Sequence, residues 1–468
     1  MPTTALAQLD AARDAAVDRL KALLAIPSVS TDPAYADHVR TAANWVADHL
    51  RTSGLTPEVL PTAGHPVVYA ATTDAQVANP TAPRLLFYGH YDVQPPDPVA
   101  KWTSPPFEPT LRDGALYARG ASDDKGQVLC FLEALRAYHD AGEKLPCHVT
   151  VLIEGEEECG SVSLPAFIEQ QRDRLKADVA VVSDTSMWDA HTPAITYALR
   201  GLLYFDIQLH GPSRDLHSGV YGGTIPNPAT ILTRILGDLF DRDHRVTVPG
   251  YYDDVLPLTE DERELWQRLA FNERDYFRSI GLTQGFGEAG YTTLERRWSR
   301  PACDINGLYG GYGGEGAKTV IPSFAGAKVS FRLAADQDPT KIAEAFTQWL
   351  HDQPTHGLTW RITEHGRAYP AAVATDSPWI AAASRAIEHA AGRTPVLVRE
   401  GATIPVIGDF KRLLGLDSLL IGFGLNSDNI HSPDEHFALD RFHLGCQTHA
   451  ALLAELGGVR PDPPARLS

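Results

Sequence analysis

Cysteine and basic charge are both scarce in this sequence. Its 468 residues include five Cys: Cys130, Cys147, Cys159, Cys303 and Cys446. The number is odd and no two are spaced C-x-x-C, so neither a disulfide framework nor a cysteine-based zinc site is indicated. Lys plus Arg total 41 against 59 Asp plus Glu, a formal net charge of −18. A nucleic-acid binder needs a basic face, which this balance argues against; it disfavours an anionic membrane surface too. No apolar run reaches the roughly 18 residues of a transmembrane helix. Residues 1–25 interrupt their apolar positions with Asp10, Arg13, Asp14, Asp18 and Arg19, the pattern of an amphipathic helix rather than a signal peptide. The expected compartment is the cytoplasm, with no nucleic-acid and no membrane partner.

What is present is the profile of a soluble globular protein, 43% hydrophobic and 21% charged. The length implies two or three domains. Apolar runs at 84–89, 148–153 and 178–183 read as buried strands, and residues 126–141 and 164–177 between them as helices. That alternation implies an α/β arrangement with a parallel sheet. From 197 the pattern changes. Residues 204–211 alternate as a half-exposed strand, a helix follows at 228–241, and a long charged segment leads to a strand at 326–335. A helix at 339–351 and a strand at 358–363 complete a smaller α+β domain. The first pattern then returns, with helices at 377–391, 405–414 and 440–456 and strands at 395–399 and 418–422. The predicted organisation is a first domain in two parts, 1–196 and 370–468, with a second domain at 197–369 inserted into it. The tail 459–468 is expected to fray.

Polar residues at the ends of the apolar strands carry the chemical information, because open α/β sheets bind ligands beyond the carboxyl ends of their strands. His90 and Asp92 follow the first strand and point the same way in extended chain. Asp92 then orients the imidazole of His90 and leaves its other nitrogen for a metal; a solvated turn is the ordinary alternative. Asp123 and Asp124 precede a helix, where capping is the ordinary reading. Glu154, Glu156, Glu157 and Glu158 follow the second strand, and Asp184 the third. Carboxylates converging on one rim repel and call for a cation or for raised pKa values. Eighteen His are available, and an imidazole with several carboxylates suits divalent zinc, manganese or cobalt. Cys159 reads as a small packing residue.

These motifs, FYGHYDVQPP, ARGASDDKGQ and IEGEEECGS, resemble those of the aminoacylase/carnosinase family of co-catalytic zinc metallopeptidases, most closely its cytosolic dipeptidase branch. GPSRDLHSGVYGG, GAKTVIPS, REGATIP and NIHSPDE extend the resemblance across most of the chain. It implies a zinc-peptidase-type catalytic domain, with a mixed, largely parallel sheet between helices, and an inserted α+β lid and dimerisation domain. His90 resembles a ligand of one metal and Asp184 its partner. Asp123 resembles the bridging ligand, and Glu158 and His431 ligands of the other metal. Asp92 resembles the carboxylate that orients His90, and Glu157 the general base. His217 is similar to a His that reaches the active site of the other subunit of a homodimer. Thr319, Arg332, His365 and Thr403 resemble substrate-binding residues.

The implied reaction is metal-dependent hydrolysis of dipeptides or short peptides with a free C-terminal carboxylate. It uses two divalent ions per subunit (zinc, or manganese or cobalt), a bridging hydroxide and the Glu157 base. Arg332 suits the substrate carboxylate because its planar fork donates two parallel hydrogen bonds. An N-acyl amino acid amidohydrolase is the rival activity, and a non-catalytic binding protein the rival of a different class.

Overall fold

The structure, a computed structural model, describes residues 3–460. Of the tail expected to fray, residues 461–468 lie outside the described residues. Two compact units are present. Among the described residues the first comprises 3–197, 373–398 and 409–460, and the second 198–372 and 399–408. The sequence reading had placed 399–408 in the first domain; in the structure it falls in the second unit.

The first unit is built on a mixed sheet. Across it run strands Glu58–Leu60, Val67–Ala71, His148–Glu154, Arg84–His90, Val179–Val182 and Ser418–Leu420, with Ala194–Leu199 beyond them. The four strands from His148–Glu154 to Ser418–Leu420 are mutually parallel, and the flanking ones antiparallel. His148–Glu154 is buried along its whole length, as expected of a parallel strand covered on both faces. Helix Lys125–Asp140 is buried along most of its length, its polar Lys125, Gln127 and Glu133 included. Its Phe131 stacks on Phe87 with ring centroids 3.8 Å apart. Helix Leu439–Gly457 packs against it. The single N-terminal helix read from the sequence is two, Thr3–Ala11 and Arg13–Leu24, and the helix expected at 164–177 stops at Gln170.

The parallel strands end on one rim. His90 pairs in register with Glu154, and Tyr88 with Val182. His90, the turn Glu157–Cys159 and Asp184 are thereby delivered to the same edge of the sheet.

In the second unit an antiparallel sheet orders Ala302–Gly310, Phe324–Leu333, Gly201–His210 and Thr359–Ala368. The alternation in Gly201–His210 is realised residue by residue. Leu203, Phe205, Ile207 and Leu209 point inward, where helices Pro228–Gly237 and Pro339–Asp352 contribute Leu232, Ile342 and Phe346 to one core. The charged segment left open by the sequence folds into short helices Glu260–Gln267, Glu273–Ser279 and Thr293–Trp298. The first and third are started by capping boxes at Thr259 and Thr292.

One core residue makes stability depend on pH. His449 is fully buried among the edges of Phe87, Phe131 and Phe423. Burial pushes its pKa down to about 3. The unfolded chain takes up the proton near pH ~6.5 and the folded chain only near 3, so stability is complete above 6.5 and is lost as pH falls through this window. Denaturant unfolding at a series of pH values is expected to show His449→Gln losing less stability than wild type on acidification. The difference approaches about 1.4 kcal/mol per pH unit inside the window. Parallel curves for the two proteins would refute it.

Candidate metal centre and substrate-binding residues

In the first unit, His90 is fully buried and held from behind. Its Nδ1 lies 3.3 Å from Asp92 Oδ1 and 3.1 Å from the Asp92 carbonyl. That fixes the ring and directs Nε2 outward, to 3.1 Å from Asp123 Oδ1 and 3.9 Å from Asp184 Oδ2. The other oxygen of Asp123, Oδ2, lies 2.9 Å from His431 Nε2, which is also 3.2 Å from Glu158 Oε2. Asp92 does double duty, since its Oδ2 accepts the Glu158 backbone N–H at 3.1 Å. Gln94, unremarked in the sequence, donates to Glu158 Oε2 at 2.8 Å. The Asp123–Asp124 peptide is cis. Cys159, read from the sequence as a small packing residue, is exposed.

The five expected ligands thus form two groups, His90–Asp123–Asp184 and Asp123–Glu158–His431. Within each, one donor atom from every residue lies within 4.8 Å of the others. Asp123 belongs to both and faces each with a different oxygen.

Burial and mutual repulsion dominate the electrostatics of this site. Burial pushes the Asp124 carboxyl well up, and Asp184 is raised by burial and by repulsion from Asp124 and Asp123. Glu157 is pushed up to about 7 by burial, which His90 opposes and Glu158 and Asp123 reinforce. Burial works against charging His90, but hydrogen bonds to Asp123 and Asp92 outweigh it and hold its pKa well above the ordinary value. His431 is raised to about 10 by its hydrogen bonds to Asp123 and Glu158. Buried carboxylates in such excess draw positive charge to themselves. Two imidazoles and three carboxylates, with no thiolate, are donors that fit hard or borderline divalent cations.

The second unit holds the remaining candidates. Arg332 Nη1 donates to Thr403 Oγ1 at 2.9 Å, and that hydroxyl donates to the Arg200 carbonyl at 2.7 Å. Arg200 reaches back to the Gly401 carbonyl, so the strand and the 399–408 loop are tied together. His217 is exposed, and its Nδ1 accepts the Gly219 N–H at 3.0 Å. Its short strand pairs with Val320–Ile321, and the Thr319 carbonyl accepts the Ser218 N–H. His217 and Thr319 are therefore neighbours, as are Arg332 and Thr403. His365 lies on strand Thr359–Ala368 at a bulge, its ring 6.2 Å from that of Tyr204.

Residues 86–455 match the family described as Peptidase family M20/M25/M40. The chain belongs to that family. It is 31% identical to a Cys-Gly metallodipeptidase of Candida albicans over 94% of each chain. It is also 31% identical to the human Beta-Ala-His dipeptidase, over 96% of this chain and 91% of that one. Among solved structures, human carnosine dipeptidase 1 superposes with a TM-score of 0.81 at 30% identity, covering 97% of this chain and 98% of the other. An M20 family metallo-carboxypeptidase of Sulfolobus solfataricus gives 0.85 at 32%, over 95% and 99%. This M20 member is a metal-dependent peptide hydrolase. It has the family's fold, a mixed, largely parallel α/β sheet unit interrupted by an α+β unit. Among the described residues no helix is long and apolar enough to cross a membrane.

Proposed function

We propose that this peptidase hydrolyses dipeptides with a free C-terminal carboxylate, using two divalent cations, zinc in the first instance. One observation carries the reading: Asp123 presents its two oxygens to two separate imidazole–carboxylate groups. His90 and Asp184 would hold one cation and Glu158 and His431 the other, with Asp123 shared between them. When bound, such cations polarise a carbonyl and acidify a water. Glu157, outside both donor groups, accepts the proton of the attacking water on its carboxylate and returns it to the leaving amine. Asp92 keeps the His90 ring in its ligating orientation. Depletion and reconstitution with zinc, manganese and cobalt, assayed on panels of dipeptides and N-acyl amino acids, tests the reading. Loss and metal-dependent recovery of dipeptide turnover supports it, and faster turnover of the acyl substrates would overturn it.

Arg332 and Thr403 bind the substrate carboxylate in this reading, with Thr319 and His365 as further substrate contacts. A charged hydrogen bond contributes about 1.5–3 kcal/mol. Arg332→Ala is therefore expected to lower kcat/KM for a dipeptide roughly 10–100-fold, mostly through KM. The wild-type preference for the dipeptide over its C-terminal amide should vanish with it. A variant that keeps that preference would exclude Arg332 from carboxylate recognition.

We also propose a cytoplasmic homodimer. All five cysteines are free, which suits a reducing compartment. Strand Ala302–Gly310 is a sheet edge that exposes Ile305 and Leu308, and an unpaired edge of that kind is a template for association. His217 of one subunit then serves the centre of the other, stabilising the oxyanion. Mixing inactive His217→Ala with inactive Glu157→Ala is expected to restore activity in verified heterodimers, and its failure there would refute the trans role.

A further inference from the structure

We propose that Glu435 and Asp428 are positioning residues. They lock the loop that carries His431 to the loop that carries Asp123, and so set the geometry in which the two donor groups meet. The inference rests on the metal-centre reading above and adds the parts that hold it in register.

His431 is the least enclosed of the five donors, with a side chain 53% exposed. Packing therefore does not fix its position. Its loop is unfavourable in itself: Asn429, His431 and Asp434 have φ of 57°, 60° and 59°, the left-handed region that non-glycine residues seldom adopt. Something outside the loop must hold it, and anchors stand on both sides. Asp428 and Glu435 are each fully buried.

The Glu435 carboxylate accepts four hydrogen bonds. Oε2 accepts Arg119 Nη1 at 2.6 Å and the Gly120 N–H at 3.0 Å. Oε1 accepts the N–H groups of Ser122 at 3.0 Å and Asp123 at 3.1 Å. Three of the four donors are backbone amides of the segment that ends in the bridging carboxylate, 312 residues away from Glu435. Asp428 grips the same segment. Its Oδ2 accepts the Ser122 hydroxyl at 3.0 Å and the Leu425 N–H at 2.9 Å, and Arg441 binds both its oxygens. Gln127 adds a third tie, donating to the Ser122 carbonyl and accepting the Phe423 N–H.

Buried ion pairs add little to stability compared with apolar residues of the same shape. What Arg119–Glu435 and Arg441–Asp428 provide is direction. Each arginine takes up part of its carboxylate's accepting capacity and leaves lone pairs for donors of the 120–123 segment, and at Asp428 for the Leu425 N–H as well. A ligand's supporting hydrogen bonds govern metal affinity in this way.

Zinc titration of the metal-stripped protein against a chromophoric chelator tests this, run beside thermal unfolding of the same metal-free proteins. Glu435→Gln keeps the side-chain shape but turns one accepting oxygen into a donor facing donors. It is expected to weaken zinc binding at one or both sites about 10–100-fold. Ser122→Ala removes only the hydroxyl bond to Asp428 and leaves the fold no obstacle. It is expected to weaken zinc about three- to tenfold with the metal-free Tm unchanged. At saturating zinc, kcat should fall in both variants while KM for the dipeptide holds. Should Glu435→Gln fail to fold, Ser122→Ala decides alone. Wild-type zinc affinity in the folded variants, or an affinity loss that merely follows a lowered metal-free Tm, would overturn the positioning role and leave the metal centre standing. A wild-type protein that binds no divalent ion would overturn both.

Discussion

Glu157→Gln is expected to bind metal as the wild type does and to hydrolyse dipeptides roughly 10²–10⁴-fold more slowly. The two halves of this expectation come from separate observations. Glu157 is not part of either donor group, so the amide leaves the ligands untouched. Its carboxyl, pushed up to about 7 mainly by burial, is the group beside the centre suited to accept and return a proton near neutral pH. The amide fills the same space and moves no proton. Metal content by mass spectrometry after dialysis, set beside kcat, checks both halves together. Metal loss in step with activity would make Glu157 a ligand or a support, not a base.

Asp123→Asn is expected to lose metal as well as turnover, and its effect reaches both donor groups. The amide keeps one oxygen and replaces the other with a donor. One of the two imidazoles at 2.9 and 3.1 Å then loses its carboxylate neighbour, and both groups lose the shared negative charge. Zinc stoichiometry is expected to fall below two per chain and the remaining affinity to drop by more than about 100-fold, beyond the loss for a supporting residue. Dipeptide turnover should fall to background. His90→Ala or His431→Ala, by contrast, removes a donor from one group and leaves the other complete. Two zinc ions retained at wild-type affinity in Asp123→Asn would sink the bridging assignment.

The parts of this molecule legible in its sequence are those where local pattern and final environment agree. The apolar run at 84–89 is strand Arg84–His90, residues 148–153 are His148–Glu154, and the helix read at 126–141 is Lys125–Asp140. Because buried parallel strands are short and uninterrupted, their ends are sharp, and His90, Glu157, Glu158 and Asp184 stood out as polar residues at those ends. Residues 250–300 were opaque, because their three helices are short, charged and begun by caps rather than by a long apolar stripe. Arg119, Gln127, Asp428, Glu435 and Arg441 were opaque for another reason. Each reads as a solvent-facing residue in a linear string, and its meaning lies in partners brought up by the fold. Glu435 even sits inside the motif around His431, yet nothing near it in sequence announces four donors from residues 119–123.

That long reach bears on when the protein becomes able to cut. A ribosome delivers Asp123 early, but His431 and the two carboxylates that fasten its loop come some three hundred residues later. Until Glu435 has left the exit tunnel, neither the second donor group nor the clasp on the first loop exists. The growing chain carries most of a peptidase without being one. A fragment that ends short of residue 428 lacks His431 and both clasping carboxylates, and is expected to turn over no dipeptide however well its sheet has formed.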